Sequence, residues 1–115
     1  MTIQRFEDIL AWQKAQELAV AVYKNFSHSK DFGFRDQIQR ASVSISNNIA
    51  EGFDRSSKAD FKRFLYFSIA SNSEVRSMLY LAERLEYIDK QKCMELINET
   101  NEVSKMLYAF VKAMK

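Results

Sequence analysis

From Lys58 to Tyr87 the chain reads KADFKRFLYFSIASNSEVRSMLYLAERLEY, with neither proline nor glycine in it. Phe61, Phe64, Leu65, Ser68, Val75, Leu79 and Ala82 fall on one face of a helical period. A helix of this length would span roughly 45 Å. It needs neighbours to cover its apolar face, because helices draw most of their stability from packing. Ser56 and Ser57 precede it as candidate N-caps, and Asp60 suits the positive end of its dipole. Halfway along, Ser68, Ala70, Ser71, Asn72 and Ser73 turn the sequence small and polar.

The same grammar extends in both directions. The whole chain of 115 residues has no proline and only two glycines, Gly33 and Gly52, each near a break in the apolar pattern. Few breakers imply few, long helices. A first helix is expected from about Phe6 or Glu7 to Phe26, with Trp12, Ala15, Ala19, Val22 and Phe26 inward and Leu18 and Tyr23 beside them. The segment Ser27 to Gly33 is polar and reads as a loop. A second helix is expected from about Arg35 to Phe53, with Ile38, Ala41, Ile45 and Ile49 inward and Ser42, Ser44, Ser46 and Ala50 around them. Small side chains let a neighbouring backbone come close, while serines weaken an isolated helix. Asp89 is a candidate N-cap for a fourth helix reaching Met114, with its seam at Leu96, Val103, Leu107, Phe110 and Met114, and Ile97 and Val111 alongside. The fold class is therefore all-α: a bundle of about four helices forming a single domain over residues 1–115.

Composition bounds the function. Hydrophobic residues are 47% and charged residues 28%, a globular balance. The formal net charge is +2, which permits nucleic-acid binding without arguing for it. One cysteine, Cys93, excludes an internal disulfide and fits a cytoplasmic setting. No run approaches the roughly 18 apolar residues of a membrane span, so no membrane partner is expected. The only histidine, His28, falls in a loop far from Cys93, which leaves no metal-ligand spacing. Cys93 lacks a base or acid at motif spacing and reads as a small buried thiol rather than a nucleophile. No glycine-rich phosphate loop is present. No catalytic residue, cofactor or metal is expected, and the chain reads as a non-enzyme.

Three segments carry a resemblance. They are Phe6-Glu7-Asp8 with Trp12-Gln13-Lys14-Ala15 and Glu17-Leu18; Ser44-Ile45-Ser46-Asn47-Asn48-Ile49-Ala50-Glu51-Gly52; and Phe61-Lys62-Arg63-Phe64-Leu65-Tyr66 running on through Ser71 and Glu74 to Leu85 and Tyr87. In this order they resemble the 23S ribosomal RNA intervening-sequence proteins, over nearly the whole chain. The resemblance implies an antiparallel up-and-down four-helix bundle that assembles as a ring-like homo-oligomer, typically a homopentamer. It also implies kinship with the accessory proteins of diversity-generating retroelements, which associate with a reverse transcriptase and nucleic acid, and no established enzymatic activity. Relatives often carry proline where Ser46 stands and glycine where Ala70 and Glu86 stand.

One surface suggests a partner. Arg55, Lys58, Lys62 and Arg63 form the densest basic cluster, interleaved with Phe61, Phe64, Tyr66 and Phe67. Cations at that spacing suit phosphates, and a patch repeated around a ring gains avidity. The expected partners are sister copies and RNA or a nucleic-acid-bound protein. The alternative is a protein-interaction module serving a partner enzyme such as a reverse transcriptase. Phe26, Phe61, Phe64 and Phe110 fit one core, whereas Phe32, Phe34, Phe53, Phe67 and Tyr80 are harder to bury and point to a subunit interface. Glu51 and Glu74 are expected to accept hydrogen bonds from Asn48, Ser71 or an arginine, fixing register, rather than to pair for acid–base work or complete a polar enzymatic site with Asn48 and Ser71.

Overall fold

In the computed structural model, which describes residues 2–114, a 3-10 turn at Phe6–Asp8 precedes four α-helices. They are α1 (Leu10–Phe26), α2 (Phe32–Phe53), α3 (Lys58–Arg84) and α4 (Lys90–Ala113), with no strand among the described residues. Each helix packs on the next and α1 closes on α4. Cross-helix contacts fix the directions. Phe26 meets Phe34 while Gln16 meets Ser46, so α1 and α2 are antiparallel. Phe53 meets Phe61 while Ser44 meets Ser71, and Phe61 meets Phe110 while Asn72 meets Thr100. The molecule is 43 Å long, close to the ~40 Å that the 27 residues of α3 occupy alone.

Local chemistry sets the helix ends. Asp31 Oδ1 accepts from the Phe34 amide at 3.1 Å, Ser57 Oγ from that of Asp60 at 3.0 Å, and Asp89 Oδ1 from that of Lys92 at 2.7 Å. Ser57 and Asp89 are thus the caps the sequence points to. With Asp31 as its cap, α2 starts at Phe32, three residues before the expected Arg35, and Gly33 lies inside the helix with no positive φ. The first helix also departs from expectation. The chain is extended at Ile9, which buries this side chain to 1% exposure and leaves Phe6–Asp8 as a separate turn. Gln13 Nε2 donates to the Glu7 carbonyl at 2.9 Å, and Phe6 meets Trp12 edge-on at 5.4 Å, tying that turn back onto α1. At the other end of α3, Glu86 takes φ 63°, the left-handed conformation that closes many helices. This reversal sends the Tyr87 amide to the Ala82 carbonyl at 2.8 Å and its hydroxyl to Asp31 Oδ2 at 2.8 Å, where it donates. The Tyr87 ring also meets Phe34 at 5.3 Å, joining the α3–α4 turn to the α1–α2 turn.

The core follows the expected stripe of α2. In α3 it adds Ile69, Asn72 and Met78 and leaves Phe61 half-buried. In α4 it runs through Cys93, Leu96, Ile97, Thr100, Val103, Leu107 and Val111, so the expected Phe110 and Met114 are only half-buried at its edge. In α1 the inward row is Ala11, Ala15, Leu18, Val22 and Phe26, so Trp12 and Ala19 flank the seam and Leu18 lies in it. Phe34 is also buried, against Phe26 and Tyr87, and Phe53 is half-buried against Phe61, so neither is left for an interface. Five polar side chains share the interior: Ser42, Ser46, Ser68, Asn72 and Thr100. Ser68 Oγ donates across to the Ile45 carbonyl at 2.8 Å, and Thr100 Oγ1 donates to Ile97 O at 2.7 Å. Asn72 Nδ2 donates to the Thr100 carbonyl at 2.9 Å, whereas its Oδ1 has no partner.

Gly52 explains itself by packing. A Cβ there would lie 2.6 Å from Phe64 Cβ and 3.0 Å from Phe61 Cδ1. The last turn of α2 therefore touches the first turns of α3 at a separation that admits hydrogen alone. Gly52 is helical and buried, an approach point rather than a breaker.

Candidate nucleic-acid interface

The close approach at Gly52 brings the expected basic residues to one corner of the bundle. Arg55 lies in the α2–α3 turn, and Lys58, Lys62 and Arg63 lie in the first turns of α3; all four are exposed. They share a patch, but it is not purely cationic. Arg55 donates to Glu51 Oε1 at 3.3 Å, and Arg63 to Asp60 Oδ1 at 3.4 Å. Asp54 adds a third carboxylate to the turn. Both pairs are solvent-exposed, a setting in which an ion pair is worth about 0–1 kcal/mol.

The interleaved aromatics divide into two sets. Phe64 is 7% exposed, and the guanidiniums of Arg55 and Arg63 lie over its ring at 4.6 Å and 5.1 Å. These contacts hold the two arginines at the corner. Phe61 packs inward between Phe53 and Phe110, at 5.8 Å and 5.5 Å. Tyr66 and Phe67 instead face solvent at 50% and 43% exposure, and Arg63 also stacks on Phe67 at 5.4 Å. Their positions off the inner stripe of α3 were the signal in the sequence.

The segment around Asn48 resolves into hydrogen bonds. Asn48 Nδ2 donates to the Ser44 carbonyl and hydroxyl at 2.8 Å and 2.9 Å, and the Ser44 and Ser71 hydroxyls lie 2.9 Å apart across the α2–α3 seam. Glu74 Oε2 accepts from Gln37 Nε2 at 3.1 Å. Glu51 therefore takes an arginine, as the sequence suggests, while Glu74 takes a glutamine instead of Ser71 or an arginine. The two carboxylates have separate partners and form no pair.

Elsewhere, Cys93 is buried and its Sγ donates to the Leu79 carbonyl at 3.3 Å. Burial, and secondarily Glu83, pushes its thiol above the usual range, which disfavours the reactive thiolate. On the α1–α4 seam, Lys14 bridges to Glu102 at 3.3 Å and Glu17 at 3.6 Å. Burial alone would lower the Lys14 ammonium, but Glu102, Glu99 and Glu17 together hold it above its usual value. Glu99 beside it is raised, first by burial and then by Glu102, Glu17 and Glu95, against the pull of Lys14. Among the described residues no group of three or more His, Cys, Asp or Glu could hold a metal ion, and no helix is long and apolar enough to cross a membrane.

These features define a class: a small antiparallel helical bundle with a mixed cationic and aromatic corner. The family model for 23S rRNA-intervening sequence protein matches residues 7–109, and the chain belongs to that family. It is similar to a crystal structure of a protein of unknown function from the S23 ribosomal protein family of Bacteroides thetaiotaomicron. The two share 30% identity and a TM-score of 0.84, over 90% of this chain and 100% of that one. No functionally curated protein matches the chain.

Proposed function

We propose that this chain is a non-enzymatic, cytoplasmic helical scaffold that assembles with copies of itself and binds RNA or a nucleic-acid-bound partner. The observation that carries the reading is the gathering of Arg55, Lys58, Lys62 and Arg63 at one exposed corner, in a family tied by its description to rRNA. Exposed Leu10, Val20, Phe32, Tyr80, Leu81 and Leu85 supply apolar surface that contacts between copies would cover. A homopentameric ring, the assembly that the family resemblance implies, would repeat the corner and turn a weak site into a strong one. Filter binding to structured RNA at graded salt tests the RNA part, and the absence of binding at low salt refutes it. Sedimentation tests assembly, with a mass several times 13.5 kDa expected and a clean monomer at micromolar concentration refuting it.

The carboxylates at the corner favour a second reading. Glu51, Asp54 and Asp60 offset much of its charge, as suits a docking face for a partner enzyme such as a reverse transcriptase. Charge reversal at Lys58 and Lys62 separates the two, because RNA binding would be lost and a protein contact resting on apolar groups would survive.

A further inference from the structure

Resting on the nucleic-acid reading, we infer that the corner takes unpaired nucleotides, with bases stacked on Tyr66 and Phe67 and phosphates on Lys62, Arg63 and Arg55. The electrostatics of the patch decide against duplex. Proteins that hold duplex by charge neutralise several phosphates, commonly about 6–10. Here both arginines already face carboxylates, Glu51 at 3.3 Å and Asp60 at 3.4 Å, so few phosphates can be neutralised at a net gain. Affinity must come from another source, and the surface supplies it. Tyr66 lies one helical turn beyond Lys62, and Phe67 one turn beyond Arg63, so each ring neighbours a cation on the same face. Their exposures of 50% and 43% leave ring surface free. Phe67 already carries the Arg63 guanidinium at 5.4 Å and meets Phe64 edge-on at 5.4 Å, which fixes its plane. A cationic track beside preoriented aromatic rings is the arrangement by which proteins hold single strands. Duplex bases are already stacked on each other and cannot use these rings.

Fluorescence anisotropy tests this with the full chain and three labelled probes of matched phosphate number: an oligoadenylate, its deoxy counterpart and a hairpin duplex. The oligoadenylate is expected to bind at least about fivefold more tightly than the hairpin, and Tyr66→Ala and Phe67→Ala are each expected to weaken it by about fivefold or more. Lys62→Ala should weaken all probes alike and lower the salt slope by about one. The deoxy strand should bind comparably, since neither ring reads a 2′-hydroxyl; its failure alone would move recognition to the sugar and overturn the stacking assignment. Tyr66→Trp should show quenched tryptophan emission on adding the oligoadenylate. Tyr66 is exposed, so its variants test the idea even if Phe67→Ala folds poorly. Preference for the hairpin, or unchanged affinity in Tyr66→Ala, overturns the inference while leaving nucleic-acid binding intact. Absence of binding to any probe at low salt overturns both.

Discussion

Gly52→Ala adds one methyl group at a close approach of α2 to α3. Its Cβ would sit 2.6 Å from Phe64 Cβ, an atom fixed to the α3 backbone, so no rotamer change relieves the clash. The two helices must separate, and overpacking of this kind costs about 1–3 kcal/mol. Alanine's better helix propensity returns at most about 1 kcal/mol. The net expectation is a loss of about 1–2 kcal/mol, or about 4–8 °C in Tm for a domain of this size. Gly33→Ala is the matched control. Its Cβ would meet nothing nearer than Asp31 Oδ1 at 3.8 Å, and Gly33 has no positive φ, so the same change should stabilise by a few tenths up to about 1 kcal/mol. Thermal and urea unfolding of the two variants should therefore move in opposite directions. A Gly52→Ala protein as stable as the parent would refute the assignment of this glycine to close packing.

Other changes probe the interior and the seams. Asn72→Asp places a carboxylate where Oδ1 already lacks a partner; it should destabilise by several kcal/mol at neutral pH and recover in acid as the group protonates, read by urea unfolding from pH 4 to 8. Glu99 has its folded pKa raised, so its contribution to stability is present below the unfolded value and is lost as pH rises through the folded one. Glu99→Gln should accordingly raise Tm at pH 7, with the gain vanishing in acid. Asp89→Ala removes the cap of α4 and should cost about 1 kcal/mol, seen as a lower unfolding midpoint. Cys93 should resist thiol reagents in the native protein and react on unfolding, since the chain buries it under α3.

Legibility in the sequence followed the size contrast between side chains. The inward row of α2 was readable because large isoleucines alternate with serines and asparagines. The row of α1 was not, because Trp12 and Ala19 are as apolar as their neighbours, and packing against both α2 and α4 decides which row turns inward. Asn72 escaped detection because a pattern of apolar residues cannot register a polar side chain in the core. Both glycines read as breakers; one follows an Asp31 cap and the other owes its place to the absent Cβ, a fact about α3 that α2 does not encode. At the basic corner the cations and their proximity were legible. Their pairing with Glu51 and Asp60 was not, since it depends on side-chain placement that spacing alone does not encode, whereas the outward turn of Tyr66 and Phe67 was written in their positions off the inner stripe of α3.

The left-handed Glu86 and the Tyr87 contacts it aims give the connecting segments unequal tolerance to changes in length. Adding or deleting a residue between Arg84 and Lys90 would swing Tyr87 off both Asp31 and Phe34, and a change between Phe26 and Phe32 would misplace Asp31 from the opposite side. Those two connections must vary together or not at all. The segment from Asp54 to Ser57 ties instead to its own pole, where Arg55 lies over Phe64, so engineered grafts are best accommodated there, within the very turn that offers cations to solvent.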